Sequence, residues 1–217
     1  MSLLVRPRGA THLLVLAHGA GAGMRHVFLE ELAAALAAER IATWRYEFPY
    51  MAAGKKLPDR PAVAEAAVRD AWAAARRATR LPAFAGGKSF GGRMTSQAHA
   101  HAALPDVRGL VFAGFPLHSP VVRRSPAPAG ALHRRPAITR AAHLPDAAGP
   151  LLFLQGTRDE LAPLRRLRPV LAGLGERAEL HVVRGADHAF AVRGRADTDV
   201  ITELAAATAA WMRRIAP

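Results

Sequence analysis

Short, continuous apolar runs recur along this 217-residue chain, each followed by a stretch of helical period, and this alternation constrains the fold more than any other feature of the sequence. Thr11 to Ala17 (THLLVLA) is apolar throughout, as a strand covered on both faces must be. In Val27 to Ala38 the period changes, with Phe28, Leu32 and Leu36 standing four apart on one stripe of a helix. Ile41 to Phe48 (IATWRYEF) returns to β-branched and aromatic residues and stops at Pro49. Pro58 and Pro61 open a second helix through Val63, Ala67 and Ala71. Further strands are expected at Ala83 to Ala85, Gly109 to Ala113, Leu151 to Gln155 and Leu180 to Val183. Helices are expected at Thr95 to Ala103, Pro163 to Leu174 and Asp197 to Ile215, the last capped by Asp197 or Thr198. This order predicts an α/β fold, a mostly parallel twisted sheet with helices on both faces.

The length suits one domain over residues 1–217. Ser119 to Pro136 (SPVVRRSPAPAGALHRRP) breaks the rhythm, being rich in Pro and Arg and without an apolar period, and reads as an irregular loop or a lid. A formal charge of +13 would suit nucleic acid. The cations, however, are nearly all arginines scattered through an Ala-rich chain, with lysine only at Lys55, Lys56 and Lys88. That is a compositional bias, so no nucleic-acid partner is expected. No apolar run approaches the roughly 20 residues that span a bilayer. Arg6 and Arg8 ahead of Leu13 to Ala17 are in the place of a secretory signal, but the apolar stretch falls short of the usual length of about 7 to 15 residues. A cytoplasmic protein without a membrane partner is expected. The absence of Cys removes disulfides, thiolate metal sites and a Cys nucleophile together.

Gly86 to Gly92 (GGKSFGG) carries two motifs at once. As Gly87-Lys88-Ser89 it ends a phosphate-binding loop, G-x-x-x-x-G-K-[ST]; as Gly87-Lys88-Ser89-Phe90-Gly91 it is the nucleophile elbow G-x-S-x-G. The phosphate loop would need its first glycine where Pro82 stands, and proline has a fixed φ and no N–H to offer an anion. The elbow needs a strand before the serine, small residues two places to either side, and a helix after it. All three are present, so the elbow reading prevails.

A serine hydroxyl becomes nucleophilic only when a base takes its proton and a third group holds that base in the right tautomer. In elbow folds these partners follow in the order Ser, acid, His, each just after a strand. Asp159 follows Leu151 to Gln155, and His188 follows Leu180 to Val183, so Ser89, Asp159 and His188 are the expected catalytic residues. Asp159 could instead cap or turn the chain ahead of Leu161-Ala162-Pro163. Asp187 and Glu160 are expected to point away from the imidazole, because neighbours in an extended segment face opposite ways. Two N–H groups must receive the oxyanion: that of Phe90, after the nucleophile, and one from His18 to Gly23 (HGAGAG), namely Ala20 with Gly21 as the alternative. Lys88 either braces the elbow or attracts anionic substrates.

HGAGAGM, FPYM, GGKSFGGR, GFPLH, QGTRDELAP and GADHAF together resemble a small, cap-less branch of the alpha/beta-hydrolase superfamily similar to dienelactone hydrolase, and within it the testis-expressed and NSL-complex-subunit hydrolase-like proteins. The resemblance runs from about residue 11 to 215 and implies a serine-hydrolase fold with Ser89, Asp159 and His188 as its triad. The expected activity is cleavage of a carboxylic ester or related small acyl compound through an acyl-enzyme, with no metal or cofactor. The alternative is a binding or scaffold protein that keeps the fold, has a protein partner and turns nothing over.

Overall fold

In a computed structural model, residues 1–118 and 138–217 are described. The expected loop or lid at Ser119 to Pro136 lies outside the described residues. Among the described residues, seven strands form one sheet: β1 (Ser2–Val5), β2 (His12–Ala17), β3 (Ile41–Tyr46), β4 (Ala83–Lys88), β5 (Val107–Ala113), β6 (Leu151–Gly156) and β7 (Ala178–Val183). Their order across the sheet is β1-β3-β2-β4-β5-β6-β7, and only β1 runs antiparallel, against β3. The helices are α1 (Val27–Ala38), α2 (Pro49–Ala52), α3 (Pro61–Ala78), α4 (Phe90–His101), α5 (Leu164–Leu174) and α6 (Asp197–Ile215). Among the described residues no helix is long and apolar enough to cross a membrane.

The parallel strands are apolar on both faces because both faces are covered. In β2, Leu13, Val15 and Ala17 join a core with residues of α3, α4 and α5, such as Trp72, Met94 and Leu167. Leu14 and Leu16 point the other way, into a core with Leu32 of α1 and Leu204 and Trp211 of α6. The same alternation sorts β5 and β6: Phe112 and Phe153 meet on the first face, Val111 and Leu152 on the second. A period of two along each strand feeds two separate hydrophobic layers. Fully burying each large side chain stabilises the fold by roughly 1.5–3 kcal/mol.

Several elements differ from the sequence-based expectation, each for a local reason. β1 has only four residues with alternating exposure and gives no continuous apolar run. β3 stops before Pro49 as expected, but the proline also opens an unexpected helical turn, α2, where its missing N–H costs nothing. β4 runs on to Lys88 and α4 begins at Phe90 rather than near Thr95; Gly91 and Gly92, poor helix formers inside its first turn, mask that start in the sequence. The cap of α6 is Ala196, without a side-chain bond, so neither Asp197 nor Thr198 caps it. Asp197 and Asp199 instead lie in the first turn, where negative charge opposes the positive end of the helix dipole.

From β2 the chain moves to β3 on one side and then returns to β4 on the other, so the strand order reverses between β2 and β4. A crevice opens beyond the carboxyl ends of strands at such a point. The segments after β2, β4, β6 and β7 all lead out at that end, and they carry His18 to Gly23, Ser89, Asp159 and His188.

Candidate active site

Ser89 is the single residue between β4 and α4, with φ 50° and ψ −113°. A non-glycine residue seldom adopts positive φ, and here the strand hydrogen bonds before it and the helix after it hold it there. Its N–H donates to Ala113 O at 3.0 Å, and its carbonyl accepts the Arg93 N–H at 3.1 Å. The flanking glycines are required by space. A Cβ on Gly87 would be 2.6 Å from Ala17 O, and one on Gly91 would be 2.5 Å from His18 O. Gly91→Ala is therefore expected to push α4 away from β2 and to lower stability by about 1–3 kcal/mol. An unchanged melting temperature would show that the elbow tolerates the extra methyl. The phosphate-loop alternative has no loop to use, since Gly86 and Gly87 are paired within β4.

His188 Nε2 is 2.8 Å from Ser89 Oγ, and His188 Nδ1 is 2.8 Å from Asp159 Oδ2. The expected serine, acid and histidine are thus brought together in one hydrogen-bonded chain. The two roles weighed for Asp159 coexist on different oxygens. Oδ1 accepts the Leu161 N–H at 2.8 Å and so turns the chain, while Oδ2 meets the imidazole. Asp159 is only 1% exposed. Burial alone would raise its pKa, but the His188 bond and charge, the Leu161 N–H and the Lys88 charge outweigh it and hold the carboxyl below its ordinary value. Asp187 bends the loop instead, its Oδ1 accepting the Ala189 and Ala191 N–H groups at 2.8 and 3.0 Å.

Lys88 Nζ donates to the His188 carbonyl at 2.5 Å and lies 5.2 Å from the ring centre of Phe190 and 5.7 Å from that of Phe28. This bond ties the end of β4 to the loop that carries His188, and Lys88 also lines the cavity beside Ser89. Removal from water pushes the ammonium pKa down to about 8, against the pull of the Asp159 and Asp187 carboxylates. Between that value and the 10.5 of a free lysine, the unfolded chain holds a proton that the folded protein has released. The charge therefore costs stability in full below about pH 8, and the cost fades as pH rises toward 10.5. Lys88→Met is expected to melt higher than the unsubstituted protein at pH 7, with the gap narrowing across that window. A gap independent of pH would mean that the buried charge is not its cause.

Phe90 is the first residue of α4, in the turn whose N–H groups have no intrahelical acceptor. Ala20 and Ser89 line the same cavity of about 750 Å³, within the usual size of small-molecule sites. Phe28, Leu29 and Leu161 give this cavity apolar wall, and Arg158 and Glu160 add exposed charge. The N–H of Gly21 donates to Tyr50 Oη at 2.9 Å. Among the described residues, no three His, Asp or Glu side chains gather as a metal site would need.

Besides Tyr50, two site residues are not singled out by the sequence. Gln155, fully buried at the end of β6, donates its amide to Asp159 Oδ2 at 2.6 Å. A polar residue closing the apolar run LLFLQ was the available signal. His18, 0% exposed, accepts the Phe48 N–H on Nε2 at 3.1 Å and has Nδ1 2.8 Å from Gly19 O. It follows β2 directly and has no spacing pattern of its own to mark it.

A parallel sheet with an elbow serine at its central strand, and an acid and a histidine beyond later strands, defines the alpha/beta-hydrolase class. The family model described as an alpha/beta hydrolase domain matches residues 10–216, and the chain belongs to that family. Its fold is similar to that of a dienelactone hydrolase from Anabaena variabilis, at 20% identity and a TM-score of 0.72 over 98% of this chain and 90% of that one. It is also similar to the esterase domain of a Rhodothermus marinus protein, at 18% identity and a TM-score of 0.68 over 97% and 91% of the two chains. A serine hydrolase without a lid from Xanthomonas campestris matches at 18% identity and a TM-score of 0.66 over 98% and 88%.

Proposed function

We propose that this protein is a serine hydrolase that cleaves a carboxylic ester or related small acyl compound through an acyl-enzyme. The observation that carries this reading is the unbroken hydrogen-bonded chain from Ser89 Oγ through His188 to Asp159, 2.8 Å at each link, beside an open cavity. In this reading Ser89 Oγ forms a bond to the acyl carbon while His188 Nε2 takes its proton, and the carbonyl π pair moves onto oxygen. The N–H groups of Phe90 and Ala20 donate to that oxygen. Ala20 is favoured over Gly21 because the Gly21 N–H is already spent on Tyr50. The oxygen pair then re-forms the carbonyl, the bond to the leaving group breaks, and His188 returns the proton to it. Water repeats the cycle with His188 as base, releasing the acid and restoring Ser89.

Asp159 remains ionised throughout, holding the Nδ1–H and stabilising the imidazolium as it forms. No step of this route calls for a metal ion or cofactor. The test is labelling by a fluorophosphonate probe, followed by a panel of esters and thioesters of graded acyl length with Ser89→Ala as the blank. Labelling lost in Ser89→Ala supports the proposal. A folded chain that is never labelled and hydrolyses none of the panel would instead be a binding protein.

A further inference from the structure

We infer that His18 and Tyr50 are positioning residues that fix the two peptide groups on either side of Ala20, so that the Ala20 N–H is held facing the reacting oxygen. This rests on the reading of Ala20 as an oxyanion donor given above. The Phe48 N–H donates to His18 Nε2 at 3.1 Å, so that nitrogen is unprotonated and the neutral ring carries its proton on Nδ1. Nδ1 then donates to Gly19 O at 2.8 Å, and the Ala22 N–H reaches the same oxygen at 3.3 Å. In a planar trans peptide the C=O and the following N–H point in opposite directions. With the Gly19 carbonyl drawn toward a fully buried imidazole, the Ala20 N–H must face away from it, on the side where Ala20 and Ser89 line the cavity.

The next peptide is fixed from its other end. Gly21 N–H donates to Tyr50 Oη at 2.9 Å, which sends the Ala20 carbonyl the opposite way. Burial is the largest influence on both side chains and keeps both neutral, lowering the His18 pKa and raising that of Tyr50. Each therefore makes its bond with no change of charge. The rings form part of one platform: His18 meets Phe48 edge-on at 4.9 Å, and Phe90 packs against Phe48 at 5.2 Å and Tyr50 at 6.4 Å. The residue bearing the second proposed donor is thus packed against the same aromatic cluster that sets the first. Positioned donors of this kind favour the transition state without tightening substrate binding.

The test compares Tyr50→Phe, His18→Leu and His18→Asn with the unsubstituted protein on a small activated ester and on a trifluoromethyl ketone. The ketone carbon is attacked by Ser89 Oγ, its carbonyl pair moves to oxygen and His188 keeps the proton, giving an oxyanion without a leaving group. Tyr50→Phe is expected to lower kcat about tenfold, and His18→Leu up to about a hundredfold, with KM within about twofold and ketone affinity falling in parallel with kcat. His18→Asn is expected to recover part of the loss, because its amide N–H can donate to Gly19 O in place of Nδ1. Tyr50→Phe, which removes one oxygen and keeps the ring, carries the test alone if His18→Leu does not fold. An active protein whose Tyr50→Phe variant keeps kcat and ketone affinity within twofold would overturn the inference and leave the hydrolase proposal standing. A protein inert to both the ester and the fluorophosphonate would remove the hydrolase proposal itself.

Discussion

Ser89→Ala is expected to lower kcat on an activated ester by about 10⁴ to 10⁶, to abolish fluorophosphonate labelling, and to leave the melting temperature nearly unchanged. The size follows from the chemistry, since without the hydroxyl there is no covalent intermediate and His188 can act only on water. Retention of the fold follows from the backbone. Ser89 is held by its N–H to Ala113 O and its carbonyl to the Arg93 N–H, and neither bond uses the side chain. The substitution removes one oxygen from a half-buried position beside the cavity. Kinetics and melting curves on the same preparation separate the two effects. Retention of most of the activity would assign the chemistry to another residue.

Asp159→Asn is expected to cost on the order of 10⁴ in kcat, and Asp187→Asn and Glu160→Gln about tenfold or less. An asparagine can donate to His188 Nδ1 and so stabilise the tautomer whose Nε2–H faces Ser89, which is the wrong one for a base. Asp159 also has a structural share, through Leu161 N–H on one oxygen and Gln155 on the other. The Gln155 amide would then face a donor instead of an acceptor. Some loss of thermal stability should therefore accompany the kinetic loss, and kcat must be compared at a temperature where all variants remain folded. The Asp187 carboxylate spends its bonds on the Ala189 and Ala191 N–H groups, so its loss should loosen the loop without reversing the tautomer. A larger kinetic loss at Asp187 than at Asp159 would overturn the assignment of the acid.

Most of the sheet was readable because buried parallel strands are continuous apolar runs, and α1 and α6 were delimited to the residue by their helical period. The parts not readable share a physical origin. β1 is short and half-exposed, and α2 is a single turn beginning at a proline, so neither generates enough periodic signal. The start of α4 was hidden because close approach to β2 demands glycines that helix propensity disfavours. In the site, Ser89, Asp159 and His188 were legible from their order after successive strands. His18, Tyr50 and Gln155 were not, because their importance comes from contacts that only the folded chain creates: Tyr50 reaches Gly21 from 29 residues away.

The separation of Ser89 from His188 by 99 residues also bears on how the protein is made. Chains emerge from the ribosome N-terminus first, at roughly 5–20 residues per second. Ser89, its elbow and both proposed oxyanion donors are therefore synthesised well before His188, which follows β7, the last strand of the sheet. On the proposed mechanism, a nascent chain stopped before that point bears the nucleophile without its base, so its reactivity would arrive only with the closing edge of the sheet.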